Sequence, residues 1–203
     1  MKLYGDLISP FVRMCMVTAL EAGLGTRVQL VSAVLKPHEV NPALQKLSPI
    51  GKIPILETDH GHPLYDSRVI MEYFCHVAGN KSLLPDEGNK HFRVLTLLAL
   101  AQGMGDAAVS LRYEKATRPA TAHWPEFAAR QQVRITACMD EMETIWHETL
   151  GEVTLGAIAT AGVLAYIDIR GLSPDWRRNR PRLAAFADTF AARESMAHTA
   201  PRT

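Results

Sequence analysis

Strand-like sequence ends near residue 66. Before it, short apolar or β-branched runs alternate with turns and a helix. After the punctuated segment Leu83-Leu84-Pro85-Asp86-Glu87-Gly88, the apolar residues recur almost only at helical spacing. A chain patterned in this way folds as a small α/β layer followed by an all-helical bundle. The expected organisation is therefore α/β plus all-α: residues 1–80 as one domain, 81–88 as a linker and 89–203 as a helical domain.

In the first part, Lys2-Leu3-Tyr4-Gly5 reads as a strand and Met14 to Ala22 as a helix stopped at Gly23. Ser9 stands where an N-cap belongs, and Pro10 suits the first helical position. Arg27 to Val34 is strand-like, whereas Leu35 to Pro42, with two prolines, breaks regular structure, and Leu47 to Lys52 is a second loop. Ile53 to Thr58 reads as a strand with Pro54 near its start. Asp59-His60-Gly61-His62 is a turn, and Pro63 to Asp66 pairs back as a hairpin. Arg68 to Ala78 is a helix, ended by Gly79-Asn80.

In the second part, Asn89 to about Arg118 is one long helix with Leu95, Leu98, Ala99 and Gln102 marking a face. Trp124-Pro125 opens the next helix. Its stripe of Ile135, Cys138, Met139, Met142, Ile145 and Trp146 reads as core. Thr154 to Arg170 is apolar nearly all round, the mark of a buried helix. Pro181 starts a last helix to about Glu194, and a polar tail runs to Thr203.

Charge and cysteine usage exclude several function classes. Lys plus Arg total 22 against 21 Asp plus Glu, so overall basicity does not mark a nucleic-acid binder. No stretch is expected to be long and apolar enough to span a bilayer, and Asp6 interrupts any secretory h-region, which makes cytoplasm the expected location. Cys15, Cys75 and Cys138 are far apart and form no CxxC, and the eight histidines make no ligand pair on one helix face; neither a disulfide framework nor a metal site is expected.

Three features carry the chemistry: Ser9 at one helix start, Asp66-Ser67 at another, and Lys52-Ile53-Pro54 before a strand. A helix start is the positive end of its dipole and favours anions. Each feature also has a purely structural reading: a cap for Ser9, Asp66 and Ser67, a loop end for Pro54, a solvated turn residue for Lys52.

The ordered set Ser9-Pro10-Phe11-Val12-Arg13, Asn41-Pro42, Ser48-Pro49-Ile50-Gly51-Lys52-Ile53-Pro54-Ile55-Leu56 and Tyr65-Asp66-Ser67-Arg68-Val69-Ile70 resembles the N-terminal domain of cytosolic glutathione S-transferases. It is most similar to a bacterial subgroup with serine in the first-helix motif. Each piece is weak alone; their order and spacing carry the resemblance. It implies a thioredoxin-like fold with Pro54 in cis, glutathione as co-substrate without a metal, and a cytoplasmic homodimer acting in detoxification on a small electrophile, with no nucleic acid or membrane partner. Trp176, Arg180-Pro181 and Arg193-Glu194-Ser195 extend the resemblance over the helical part. One departure stands out. Many members begin the buried helix with Ser/Thr-x-x-Asp, but here Thr154 is followed by Ala157, which cannot return the second capping hydrogen bond. The expected cost is on the order of 1 kcal/mol of stability.

The resemblance assigns roles. Ser9 donates its hydroxyl to the glutathione thiolate. Ser67 and nearby helix N–H groups take the γ-glutamyl carboxylate, and Asp66 takes its ammonium directly or stabilises that helix start. Ile53, beside Pro54, pairs with the cysteinyl main chain, and Lys52 or Lys36 meets the glycyl carboxylate. Phe11 and Val12 lie beside the ligand, although core packing suits Phe11 equally. Asp106, Arg112 and Tyr113 face the electrophile, or else are solvated or in interdomain salt bridges. Arg13 is either a surface residue or pairs with Asp106. Lowering a thiol pKa from about 8.5 to about 7 takes about 2 kcal/mol. One hydroxyl donor supplies about 1.5–3 kcal/mol and the helix start about 0.3–1 kcal/mol, so no separate base is needed. The reaction is then conjugation or peroxide reduction. Thiol–disulfide exchange would want a cysteine at Ser9 or Val12, and Cys15 lies about 240° round the helix from Ser9. A glutathione-binding scaffold without turnover keeps the same motifs.

Overall fold

A computed structural model describes residues 1–201, so the end of the predicted polar tail, Arg202 and Thr203, lies outside the described residues. Strand β1 (Lys2–Gly5) pairs in parallel with β2 (Gln29–Ser32) and antiparallel with β3 (Ile55–Glu57); β3 pairs antiparallel with β4 (Pro63–Leu64). The sheet order is β2-β1-β3-β4. Leu30, Leu3, Leu56 and Leu64 stand in register across all four strands, so one row of leucines crosses the sheet. Helices α1 (Pro10–Glu21) and α3 (Ser67–Ala78) pack on each other and on the strands. The arrangement is thioredoxin-like, and the Ile53–Pro54 peptide is cis.

The loop between β2 and β3 holds a helix that the sequence reading misses, α2 (Pro42–Leu47). The same Asn-Pro that ends the extended segment starts it. Asn41 Oδ1 accepts from the Ala43 and Leu44 N–H groups at 3.1 and 3.2 Å, and Pro42 occupies the first helical turn.

The remaining helices are α4 (Gly88–Ala116), α5 (Pro125–Thr144), α6 (Leu155–Arg170), α7 (Pro181–Ala191) and α8 (Glu194–His198). Twelve of the sixteen residues of α6 are buried, as its all-round apolar pattern predicts. It packs on α4, α7 and α1, and so joins the helices to the sheet layer. At Gly156 the approach to α4 is close: an added Cβ would sit 2.8 Å from Leu97 Cβ.

Several expectations need correction. The buried face of α4 runs through Val94, Leu97, Leu98, Ala101 and Gln102, whereas Ala99 is exposed, one residue off that stripe. Ile145 is 58% exposed because α5 ends at Thr144 and the chain turns there. Arg13 is buried and does not pair with Asp106; Nη2 donates to the Met196 carbonyl at 3.1 Å and Nε to Thr199 Oγ1 at 3.4 Å. The helix expected from Pro181 to about Glu194 ends at Ala191, and the tail carries α8, which Glu21 anchors beside α1 by binding Arg193 and Ser195. Helix α4 is in fact long and apolar enough, by length and composition, to cross a membrane, and 56% of its most apolar window is buried within the protein.

Candidate functional site

A cleft of about 800 Å3 opens where the starts of α1 and α3 meet the middle of α4 and the end of α6. Its construction begins at Gly5, the last residue of β1. There φ is +156°, and a Cβ would lie 2.4 Å from Val12 Cγ2, so glycine lets α1 fold back tightly over the strand. The intervening turn is fixed by Asp6, whose Oδ1 accepts from Ile8 N–H at 2.9 Å and whose carbonyl accepts from Ser9 N–H at 2.9 Å. Ser9 then caps α1, its Oγ accepting from Val12 N–H at 3.4 Å. A hydroxyl has one proton and two lone pairs, so this bond leaves the Ser9 O–H free to donate. Among the described residues no acceptor takes it. Val12 itself is wholly buried and does not line the cleft; only its N–H serves the site.

The start of α3 has the same design. Asp66 Oδ1 accepts from Arg68 N–H at 3.0 Å as the cap. Ser67 is buried, and its Oγ accepts from Gln102 Nε2 of α4 at 2.8 Å. Opposite, a turn held by Ser48, with Gly51 in the left-handed region at φ +61°, carries exposed Lys52 to half-buried Ile53 and buried Pro54. Lys36 also reaches the cleft but is engaged by Glu39 at 2.9 Å.

Asp106, Arg112 and Tyr113 all line the cleft from α4. Burial pushes the Asp106 carboxyl up and nearby Asp66 adds to this, while Lys52 and Arg68 pull it down. Asp106 thus shares the α3 side of the cleft with these charges. Further along, Tyr113 shares the cleft lining with Tyr166 and Arg170 from α6. Burial raises both phenols, and for Tyr166 the cations of Arg170 and Arg112 oppose it. The Arg170 guanidinium lies 5.8 Å from the centre of the Tyr166 ring. Phe11 lines the cleft and also packs on α4, where a Cβ at Gly105 would be 3.2 Å from its ring.

The structure thus brings Ser9, Phe11, Lys36, Lys52, Ile53, Pro54, Asp66, Ser67, Asp106, Arg112 and Tyr113 to one cleft. Sequence reasoning missed Tyr166, Arg170 and the polar role of Gln102. Tyr166 and Arg170 are four apart on α6 and so share a face, which was the available signal. The cysteines take no part. Cys15 Sγ donates to the Ser67 carbonyl at 3.7 Å, and burial holds its thiol protonated; burial likewise pushes Cys75 up to about 12.

Residues 8–77 match the family model described as glutathione S-transferase, N-terminal domain. The whole chain is 31% identical to the uncharacterized GST-like protein YibF of Escherichia coli (strain K12), over 99% of this chain and 98% of that one. The chain belongs to the glutathione S-transferase family. Two solved structures carry the likeness into three dimensions. A glutathione transferase family member from Pseudomonas fluorescens Pf-5, with bound glutathione, is 37% identical with a TM-score of 0.96, covering 100% of this chain and 99% of that one. A second structure of a family member from the same strain, with bound S-(propanoic acid)-glutathione, is 36% identical with a TM-score of 0.91 and covers 100% of both chains. Most of the cleft lining falls on the segment of the family match, with α4 and α6 completing it.

Proposed function

We propose that this chain binds glutathione in the cleft and transfers its thiolate to a small electrophile. The observation that carries the reading is Ser9: a cap at a helix start whose proton is uncommitted among the described residues and whose oxygen faces a cleft also lined by Lys52, Pro54 and Ser67. A hydroxyl donor at the positive end of α1 favours a thiolate over a thiol. Ser67 and the α3 start suit the γ-glutamyl carboxylate, Asp66 and Asp106 its ammonium, Ile53 the cysteinyl main chain, and Lys52 the glycyl carboxylate. Lys36, already held by Glu39, is the lesser candidate.

The serine-bearing first-helix motif supports membership of a bacterial subgroup of the family. Residues 1–80 and 89–203 act as two domains joined by 81–88, in a cytoplasmic homodimer with a role in detoxification. Light scattering tests the oligomeric state. The function is tested by titrating glutathione and by measuring turnover with a small aromatic electrophile and with an organic hydroperoxide. Binding with turnover of either is the expected result. Tight binding without turnover would instead make the protein a glutathione-binding scaffold, and no binding would refute the reading.

A further inference from the structure

The stretch of cleft lined by α4 beyond Asp106 and by the end of α6 is too cationic for a purely apolar ligand. Arg112 and Arg170 both line it, and among the described residues neither has a carboxylate partner. Of the other cations that line the cleft, Arg68 pairs with Asp66 and Lys36 with Glu39, while Lys52, also without an ion pair among the described residues, is the one the proposed function gives to the glycyl carboxylate. Arg170 Nε is moreover buried without any hydrogen-bond partner. A buried donor left without an acceptor is costly, and an anion bound beside the guanidinium would offset that cost. The Tyr166 phenol lies within the electrostatic reach of both guanidiniums and of Tyr113, so the four groups form one cluster.

We propose that this cluster binds the carboxylate of an acidic electrophile, an α,β-unsaturated carboxylate, with Arg112 and Arg170 as the anion clamp and Tyr166 as a further donor. The inference rests on glutathione being the thiol in the cleft. The chemistry asks for such a clamp on two counts. A bound thiolate repels a second anion unless cations offset it. An ionised carboxylate is also a poor electron sink. When the sulfur bonds to the β-carbon, the π pair of the double bond moves to the α-carbon and towards the carboxylate. The α-carbon then takes a proton from water, so the sum is addition of glutathione across the double bond, with no leaving group and no oxidant. The planar guanidinium fork matches both carboxylate oxygens and meets the charge where it grows.

The test compares two thioethers of glutathione, S-(2-carboxyethyl)glutathione and its uncharged carboxamide counterpart, by calorimetric titration, with glutathione titrated alongside. The wild type is expected to bind the carboxylate about 10- to 100-fold more tightly than the amide, the span of a charge-assisted hydrogen bond. The ratio falls to near one in Arg112→Met/Arg170→Met and is partly kept in Arg112→Lys. Should the double variant fail to fold, the wild-type ratio alone decides. Equal affinities for the two thioethers, with glutathione still bound, would overturn the clamp and leave the proposed function standing. Failure of glutathione itself to bind would overturn both.

Discussion

Ser9→Ala removes one oxygen with two roles, and the two effects separate. As a cap, Ser9 accepts from Val12 N–H at 3.4 Å. Cap loss costs about 0.5–2 kcal/mol, and this long bond places it at the lower end, about 0.5–1 kcal/mol, or a drop in Tm of about 1–4 °C. As a donor to a bound thiolate, the hydroxyl is worth about 1.5–3 kcal/mol, so its loss raises the thiol pKa by about 1–2 units. At a pH below both pKa values, thiolate and turnover fall by about 10- to 100-fold. Above the raised pKa both proteins hold thiolate and their rates converge. The assay is the ultraviolet absorption of bound thiolate against pH, with kcat/KM measured in parallel. Ser9→Gly keeps most of the helix stability, since glycine caps within a few tenths of a kcal/mol, but loses the donor as fully as alanine. Ser9→Asp caps well yet sets a negative charge beside the sulfur, so the thiol pKa rises further. The reasoning is refuted if bound thiol titrates at the same pH in Ser9→Ala and wild type.

Gly156→Ala should destabilise the protein even though alanine favours a helix by about 1 kcal/mol, because the new Cβ meets Leu97 Cβ at 2.8 Å and overpacking costs about 1–3 kcal/mol; urea unfolding checks it, and a gain in stability would show that α4 and α6 separate freely. Glu21 has its pKa lowered, chiefly by its hydrogen bond from Arg193. Its contribution is therefore present above the unfolded carboxylate pKa and lost as pH falls through the lower folded value, so the stability gap between wild type and Glu21→Gln should shrink on acidification; a gap that widened in acid would contradict the pairing. Ala157→Asp should raise Tm by completing the pair that Thr154 Oγ1 begins with the Ala157 N–H at 3.4 Å. Since Ala157 is wholly buried, the gain must exceed the desolvation of the new carboxylate, and no change or a drop in Tm would reject it.

What the sequence makes legible is local. Helix starts announce themselves through Ser9-Pro10 and Asp66-Ser67 because a cap is decided within four residues. The buried helix α6 is legible because hydrophobicity on every side has one stable outcome. Asn41-Pro42 reads as a break because it ends one segment, and only the Asn41 bonds to Ala43 and Leu44 reveal that it begins another. Long-range pairings were opaque for a different reason. Arg13 finds its acceptors 183 and 186 residues away, and no spacing rule in one sequence reports such a meeting. The far end of the cleft stayed hidden likewise, since Tyr166 and Arg170 look like the end of a core helix until α4 is set beside them.

The two serines show how the helical half sets the polarity of a site whose motifs lie in the first. A serine hydroxyl beside a cleft either accepts or donates, and its other contacts decide which. Val12 N–H fills the acceptor side of Ser9 from within its own helix. For Ser67 the acceptor side is filled by Gln102, 35 residues away on α4. Each hydroxyl thereby accepts one hydrogen bond and keeps its proton available at the start of a helix that opens on the cleft. On the proposed reading, two available protons at two helix starts suit a ligand with two separate anionic centres. Gln102 is thus a residue of the helical half that takes part in orienting a hydroxyl of the first half, by donating to Ser67 Oγ at 2.8 Å.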